Sequence, residues 1–212
     1  MVEENYNFGG IMKIKEILLA TNNQGKVKEM KAILADLGID VFSLKDKGID
    51  IDVEENGKTF EENAIKKANE IAKVSNMITV SDDSGLEVYA LDLRPGIYSA
   101  RYAGDGATSD MLCEKILNEM ENVPDSERGA RFVSVVAIVY PDGKTLTLRG
   151  ECEGAIIHEK RGDGGFGYDP VFYIENKGQT FSEMPLEEKN KISHRAKAFA
   201  KLKEHLKQQM DK

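Results

Sequence analysis

The chain has 212 residues, of which 41% are hydrophobic and 31% are charged, and its formal net charge is −8. These figures favour one globular domain with a buried core, and the acidic charge disfavours broad binding to nucleic acid or to an anionic membrane. A small phosphorylated ligand is compatible with this charge if basic residues cluster locally. The longest apolar stretch, Phe132 to Tyr140, is too short to span a bilayer, so we expect a cytoplasmic protein.

The N-terminus is acidic and polar and shows no secretory pattern. We expect residues 1–12 to be an extension, either disordered or the product of an early start site, since Met12 would also serve as a beginning. Residues 13–212 are predicted to form a single domain. Cys113 and Cys152 lack C-x-x-C spacing and the histidines are scattered, which disfavours a zinc site and indicates reduced, structural cysteines.

In the first half of the chain, the apolar pattern predicts strands that alternate with helices. In chain order we expect a strand at 17–20, a helix from Gln24 that ends at Gly38, a strand at 39–44, a helix that begins at Thr59, and a strand at 78–80. Thr59 and Glu62 have the spacing of a capping box.

The second half begins with a predicted helix from Thr108 to Met120. A hairpin follows, with strands at 130–140 and 145–151 around the turn Pro141-Asp142-Gly143. A C-terminal helix is predicted to carry Ile192, Ala196, Phe199, Leu202 and Leu206 on one side. Because hairpin strands replace the early alternation, the pattern indicates an α/β fold with a mixed sheet.

Asp82 and Asp83 follow the apolar run 77–80 and precede Ser84-Gly85, so we expect them at the end of a strand. Strand ends facing a crevice are where α/β proteins commonly place their chemistry. Two carboxylates there suggest a hard metal ion or a general base. The structural alternative is a plain turn, because Asp, Ser and Gly are common turn formers.

The segment 21–26, Thr-Asn-Asn-Gln-Gly-Lys, joins the first strand to the first helix. Backbone N–H groups at a helix start attract an anion, and Lys26 adds a full charge, so phosphate binding is one interpretation. The spacing is not that of a P-loop. In the other interpretation, Thr21 or Asn22 only caps the helix and Lys26 points to solvent.

An acidic stretch covers residues 50–62. Glu61 and Glu62 open a helix, where the helix dipole favours carboxylates for structural reasons. Glu54 and Glu55 precede Gly57 in a loop, and one of them could complete a magnesium site with Asp82-Asp83. The alternative is a solvated acidic loop.

The segment 162–170 contains four glycines around Phe166, Tyr168 and Asp169. Phe166 could stack on a nucleobase, and Asp169 could accept hydrogen bonds from ring N–H groups. A mobile loop with its aromatics on the core is the alternative. Further along, Lys189 and Ser193-His194-Arg195 form a donor-rich corner that suits an anion or an acceptor on a base, although lone surface cations are common.

Several of these segments, taken in order, resemble the inosine triphosphate pyrophosphatase, or Ham1-like, family. The motifs are T-N-N-x-G-K, T-F-E-E-N-A, D-D-S-G-L, P-G-I-Y-S-A-R-Y, G-F-G-Y-D-P and I-S-H-R, and they cover about Ile14 to Leu206. The resemblance implies an elongated, two-lobed α/β fold with a long mixed sheet flanked by helices, a central substrate cleft and a homodimer. It also implies Mg²⁺-dependent hydrolysis of ITP, dITP and XTP to the monophosphate and pyrophosphate.

The resemblance also implies roles for residues at matching positions. Asp83 matches the catalytic acidic residue and metal ligand, Ser84 a substrate contact, and Glu55 the metal-binding glutamate, with Glu54 as the neighbouring alternative. The triphosphate segment matches Thr21, Asn22, Asn23, Gln24, Gly25 and Lys26. The base-binding positions match Phe166, Gly167, Tyr168, Asp169, Lys189, His194 and Arg195.

Under this hypothesis, Mg²⁺ at Glu55 and Asp83 bridges the phosphates, and water attacks the α-phosphorus. Lys26 and the helix N–H groups would hold the leaving pyrophosphate. Side-chain donors at His194-Arg195 would form hydrogen bonds with the six-keto oxygen of the base. They would disfavour adenine, because its amino group is itself a donor and would face these donors. Two rivals are a Maf-like pyrophosphatase for pyrimidine or modified nucleotides and a nucleotide-binding regulator without hydrolysis.

Overall fold

The computed structural model describes residues 14–210, apart from the side chain of Glu29. The strands in this part are β1 Glu16–Leu19, β2 Asp40–Ser43, β3 Thr79–Val88, β4 Gly129–Val139, β5 Thr145–Ile156, β6 Phe172–Ile174 and β7 Gln179–Thr180. The α-helices are α1 Gln24–Leu34, α2 Phe60–Ser75, α3 Ser109–Glu119, α4 Leu186–Ile192 and α5 His194–Met210. The predicted extension at 1–12 lies outside the described residues.

The strands form one seven-stranded sheet in the order β2-β1-β3-β4-β5-β6-β7. β1 pairs in parallel with β2 and β3, with Leu18 opposite both Phe42 and Thr79, whereas β5, β6 and β7 pair antiparallel. The predicted α/β fold with a mixed sheet is therefore confirmed. Within 14–210, no helix is long and apolar enough to cross a membrane.

Local signals placed most elements correctly. The Thr59 hydroxyl accepts a hydrogen bond from Glu62 N at 3.1 Å, and the Thr108 hydroxyl accepts one from Met111 N at 3.3 Å, so each threonine caps its helix. The second half of the predicted capping box is different, because the Glu62 carboxylate accepts from Lys58 N instead of Thr59 N. Cys113 and Cys152 are buried and unpaired with each other, as predicted.

The expected strand end at Asp82-Asp83 is wrong. β3 continues through Ser84-Gly85 to Val88, and nearly all of its side chains are buried. Both carboxylates can lie in mid-strand because distant side chains bind them: Lys26 contacts Asp82, and Asn63 contacts Asp83. A buried carboxylate with a charged or hydrogen-bonding partner no longer needs the solvent of a turn.

The single C-terminal helix is also wrong, since it is divided at Ser193. This residue is extended (φ −63°, ψ 155°), and its hydroxyl and carbonyl accept hydrogen bonds from Ala196 N and Lys197 N. Ser193 therefore acts as the N-cap of α5. Ile192 belongs to α4 and does not share the apolar face of Phe199, Leu202 and Leu206.

The chain divides into two compact units. The first contains the described residues up to Asp83, then 135–148 and 198 onward, and the second contains 84–134 and 149–197. In the first unit, apolar residues of β1, α1 and α5 share a core. In the second, Phe132, Phe172 and Phe181 pack together, with the first two ring centroids 4.5 Å apart. The single domain over 13–212 stays a prediction.

Arg128 is a buried cation in the second unit. Its guanidinium donates hydrogen bonds to the carbonyl oxygens of Ile156 (2.7 Å), Met120 (2.7 Å), Val123 (3.2 Å) and Ile157 (3.1 Å). Burial lowers the pKa of this guanidinium. One side chain thus ties the end of α3 to the end of β5.

We expect Arg128→Met to lower the free energy of unfolding by about 3–5 kcal/mol, because it leaves buried carbonyl groups without their donor. Denaturant titration followed by circular dichroism measures this change. Arg101→Met is the matched control, since Arg101 is exposed and lies 5.2 Å from the Tyr98 ring. Equal stability losses in the two variants would contradict the structural role of Arg128.

Candidate active site

The loop between β1 and α1 is organised by its own asparagines. The Asn23 side-chain oxygen accepts hydrogen bonds from Gly25 N (2.9 Å) and Lys26 N (3.2 Å), so Asn23 is the N-cap of α1. Thr21 supports this cap by accepting from Asn23 N at 3.1 Å. The N–H groups of Gly25 and Lys26 are thus bound to Asn23 in this structure, and their part in phosphate binding stays a prediction.

Asn22 links the same loop to the segment after β2, because its side-chain oxygen accepts from Lys45 N at 3.0 Å. Gln24 is exposed, and its amide donates to the Asn22 carbonyl at 3.4 Å. The alternative in which Thr21 or Asn22 caps the helix is thus replaced by Asn23 as the cap. Asn22 instead fixes the position of the loop.

Lys26 points at a carboxylate and not at solvent. Its ammonium group lies 2.9 and 2.8 Å from the two carboxylate oxygens of Asp82, which is almost fully buried. This pair joins the first turn of α1 to the middle of β3. It also places the Lys26 charge on the residue directly before Asp83.

Asp83 is held from a different helix, as the alternation of side chains along a strand predicts. The Asn63 side-chain amide, on α2, donates to Asp83 at 3.0 Å and accepts from Gly57 N at 2.7 Å. Asn63 is 1% exposed and Asp83 is 9% exposed. A side chain at Gly57 would come within 2.7 Å of the Asn63 oxygen, so the acidic loop passes directly over this amide.

Lys67, one helical turn after Asn63, was not recognised from the sequence. Its ammonium group forms an ion pair with Glu55 and donates to the backbone carbonyl of Asp82 at 3.2 Å. Spacing of four along α2 puts Asn63 and Lys67 on one face, and this was the signal that could have identified both. Lys67 brings the Glu55 carboxylate towards β3.

Glu54 is held separately. Its carboxylate accepts from the Asn56 amide at 3.1 Å, and its carbonyl accepts from Lys66 at 2.7 Å. Glu55 is the glutamate that Lys67 links to β3, through the backbone carbonyl of Asp82. This arrangement favours Glu55 over Glu54 as the acidic partner of Asp83.

A cavity of about 210 Å³ adjoins these groups in the first unit. Its polar lining is formed by Thr21, Asn22, Asp52, Glu55 and Lys67. No cluster of three or more potential metal-ligating side chains occurs among residues 14–210. Glu55 and Asp83 nevertheless supply carboxylate oxygens, the donor type that Mg²⁺ prefers, and Glu55 already lies against one cation, so the donor set fits a hard divalent ion.

In the second unit, Phe166 is an exposed aromatic surrounded by cations. Its side chain is 60% exposed, and the Lys189 ammonium and Arg195 guanidinium lie 4.9 and 5.7 Å from its ring centroid. The structure therefore brings together three of the predicted base-binding residues. An exposed ring with two flanking donors can stack on a flat ligand and hydrogen-bond its edge.

Asp169 is the internal anchor of this loop. One of its carboxylate oxygens accepts from Phe166 N (2.8 Å) and from the Lys189 ammonium (2.5 Å), and the residue is almost fully buried. Gly165 has a φ of +76°, and a methyl group there would collide with the Asp169 carboxylate. Asp169 thus fixes both Phe166 and Lys189. We call the Phe166 ring, flanked by Lys189 and Arg195, the aromatic platform.

Three other predicted site residues are buried or half-buried. Tyr168 is 3% exposed and donates its hydroxyl to the Ser99 carbonyl at 2.8 Å, and burial raises its pKa. His194 is buried and stacks on Phe132 with 4.8 Å between ring centroids. Ser84 is half-buried on β3. Arg195 is therefore the member of the His194-Arg195 corner that lies at the aromatic platform.

Known proteins resemble the chain over most of its length. The model of the Ham1 family matches residues 17–205. Proteins named dITP/XTP pyrophosphatase are similar to the chain: that of Clostridium perfringens is 50% identical over 92% of this chain and 98% of its own, and that of Bacillus subtilis is 48% identical over 89% and 96%.

Solved structures of similar proteins share the fold. The Staphylococcus aureus Ham1 protein aligns with a TM-score of 0.85 at 44% identity, over 91% of this chain and 98% of its own. A HAM1 protein from Coxiella burnetii aligns with a TM-score of 0.87 at 41% identity, over 92% and 99%. The family model and these relatives cover nearly all of the described residues, and the chain belongs to the Ham1 family.

Proposed function

We propose that the chain is a nucleoside triphosphate pyrophosphatase that converts ITP, dITP and XTP to the monophosphate and pyrophosphate. The observation that carries the proposal is the cluster in which Lys26 pairs with Asp82 and Lys67 pairs with Glu55, next to Asp83. Cations for phosphates and carboxylates for a metal ion are needed together for a metal–triphosphate complex. We further propose Mg²⁺ as the cofactor, a homodimer and the cytoplasm as the compartment.

In this mechanism, Asp83 accepts a proton from the water that attacks the α-phosphorus, and Asn63 orients its carboxylate. Lys26 and Lys67 bind phosphate oxygens and stabilise the leaving pyrophosphate. Glu55 and Asp83 would hold the divalent ion, which when bound neutralises phosphate charge and lowers the pKa of water. A protein that only binds nucleotides gains nothing from carboxylates near phosphate, which favours hydrolysis over the regulatory alternative.

The platform of the second unit accounts for the choice of base. Phe166 would stack on the purine, while Lys189 and Arg195 donate hydrogen bonds to keto oxygens. Adenine would present an amino donor to these donors and leave buried polar groups unpaired, which discriminates by roughly 10⁴-fold or more. The same donors suit XTP and ITP.

Hydrolysis of ITP with Mg²⁺ in H₂¹⁸O tests the proposal. We expect IMP and pyrophosphate, with the label in the IMP phosphate as seen by ³¹P NMR. IDP with orthophosphate would contradict attack at the α-phosphorus. Faster turnover of UTP or dTTP than of ITP would favour the Maf-like alternative.

We expect Gly165→Ala to raise KM for ITP by about tenfold or more, because the added methyl group displaces the Asp169 carboxylate that holds Phe166 and Lys189. Steady-state kinetics measure it. Gly143→Ala is the control: Gly143 also has a positive φ, +88°, but a methyl group added there would meet no atom within 4 Å. A KM that is unchanged by Gly165→Ala would show that Asp169 does not fix the platform.

A further inference from the structure

We propose that Ser109 is a positioning residue for the base: through the Gly167 carbonyl, it sets the orientation of the Phe166 ring. This inference rests on the proposed function for the identity of the ligand. The described contacts on which it depends all lie within the second unit.

The Gly167 carbonyl receives two side-chain donors from α3. The Ser109 hydroxyl donates to it, and the Cys113 thiol lies 3.3 Å from the same oxygen. The two donors are four residues apart and so share one helix face. Burial raises the pKa of the Cys113 thiol to about 11, which keeps it protonated as a donor.

Gly167 is the point at which the loop reverses its side chains. Its φ is +61°, its predecessor Phe166 is exposed, and its successor Tyr168 is in the core. Because Gly is free to rotate, the direction of this peptide must be fixed by its neighbours. The carbonyl bound by Ser109 lies in the peptide between Gly167 and Tyr168, so this hydrogen bond fixes the residue that joins Phe166 to the buried Tyr168 and limits how far the chain can turn at Phe166.

The start of the loop is bound to the first turn of α3 and to Glu183, which follows β7. The Lys160 ammonium lies 2.8 Å from the Asp110 carboxylate, and Arg161 forms two hydrogen bonds with Glu183, at 3.2 and 2.9 Å. These contacts hold the base of the loop whether or not Ser109 is present. The Ser109 hydroxyl thus acts on the Gly167 end of the loop.

Ser109 is not needed to form its own helix. Thr108 supplies the cap through Met111 N, and Leu112, Cys113 and Ile116 bury the apolar face. Removal of the hydroxyl therefore takes away the contact with Gly167 while α3 keeps its cap and its core. This separates a positioning role from a purely structural one.

The test compares Ser109→Ala with Ser109→Thr, which keeps the hydroxyl. We expect Ser109→Ala to raise KM for ITP by about 3- to 10-fold with kcat within about twofold, and Ser109→Thr to restore KM. A fall in kcat with unchanged KM, or a melting temperature lowered by about 10 °C or more, would overturn the positioning role.

A second readout does not depend on turnover. The chain has no Trp, so Phe166→Trp places a single indole on the platform. In that background we expect Ser109→Ala to speed the anisotropy decay of the indole and to weaken binding of IMP, measured by quenching, by about 3- to 10-fold. Unchanged indole mobility would overturn the inference. If the native chain fails to hydrolyse ITP while the mobility changes, the proposed function fails and the positioning role stands.

Discussion

Asp83→Asn is expected to lower kcat for ITP by roughly 10³-fold, within the 10²- to 10⁴-fold range of general acid–base catalysis, and to leave the fold intact. The amide has the shape of the carboxylate and can still accept from Asn63, whose donor lies 3.0 Å from Asp83. It cannot take a proton from water and is a weaker ligand for a divalent ion. Turnover by pyrophosphate release and unfolding by circular dichroism are measured together.

Asp82→Asn is the matched neighbour for this experiment. It removes the carboxylate that pairs with Lys26, so we expect a smaller fall in kcat and a larger loss of stability than for Asp83→Asn. Near-normal turnover of the Asp83→Asn protein, with the fold intact, would remove Asp83 from the chemistry. Equal effects of the two substitutions would show that the pair acts as a unit.

Changes at Asn63 are expected to have the second-largest effect. Asn63→Asp keeps an acceptor for Gly57 N but replaces the donor to Asp83 with a like charge, and we expect about a 10- to 100-fold loss of activity. Asn63→Leu loses both hydrogen bonds and is expected to lower the free energy of unfolding by about 2–4 kcal/mol relative to the native chain. Turnover and denaturant titration of both variants measure these effects.

The comparison of the two Asn63 variants separates orientation from stability. If orientation of Asp83 is what matters, both variants lose activity, whichever of them is the more destabilised. Full activity of Asn63→Asp would contradict the orienting role. Asn56→Asp, on the neighbouring loop, serves as a control because Asn56 contacts Glu54 and Lys66 but not Asp83 in the described hydrogen bonds.

Elements fixed by neighbouring residues were predictable from the sequence. The cap Thr59 placed α2, and the turn at Pro141-Asp142-Gly143 placed the hairpin, because capping and turn formation depend on a few adjacent residues. The predicted third strand ended too early, because the buried carboxylates of β3 depend on Lys26 and Asn63, which are 56 and 20 residues away. No local pattern contains that information.

The site shows the same division. Motif order predicted Asp83, Phe166, Lys189 and Arg195 as site residues, and the structure brings the last three together, but the sequence did not show which of their neighbours are buried. Tyr168 and His194 are buried against Ser99 and Phe132. Their roles depend on packing between segments that are far apart in the chain, and propensity does not encode such packing.

The contact between Asn63 and Gly57 also bears on the chemical ageing of the protein. Asn56-Gly57 is a sequence prone to deamidation, which begins when the backbone nitrogen after the asparagine attacks its side-chain carbonyl. Here the Gly57 N–H is bound to Asn63 at 2.7 Å, and the Asn56 oxygen is bound to Lys66 at 2.9 Å. Both reacting groups are held in place, so folding protects this asparagine, and the amide that orients Asp83 also preserves the covalent structure of the loop that carries Glu55.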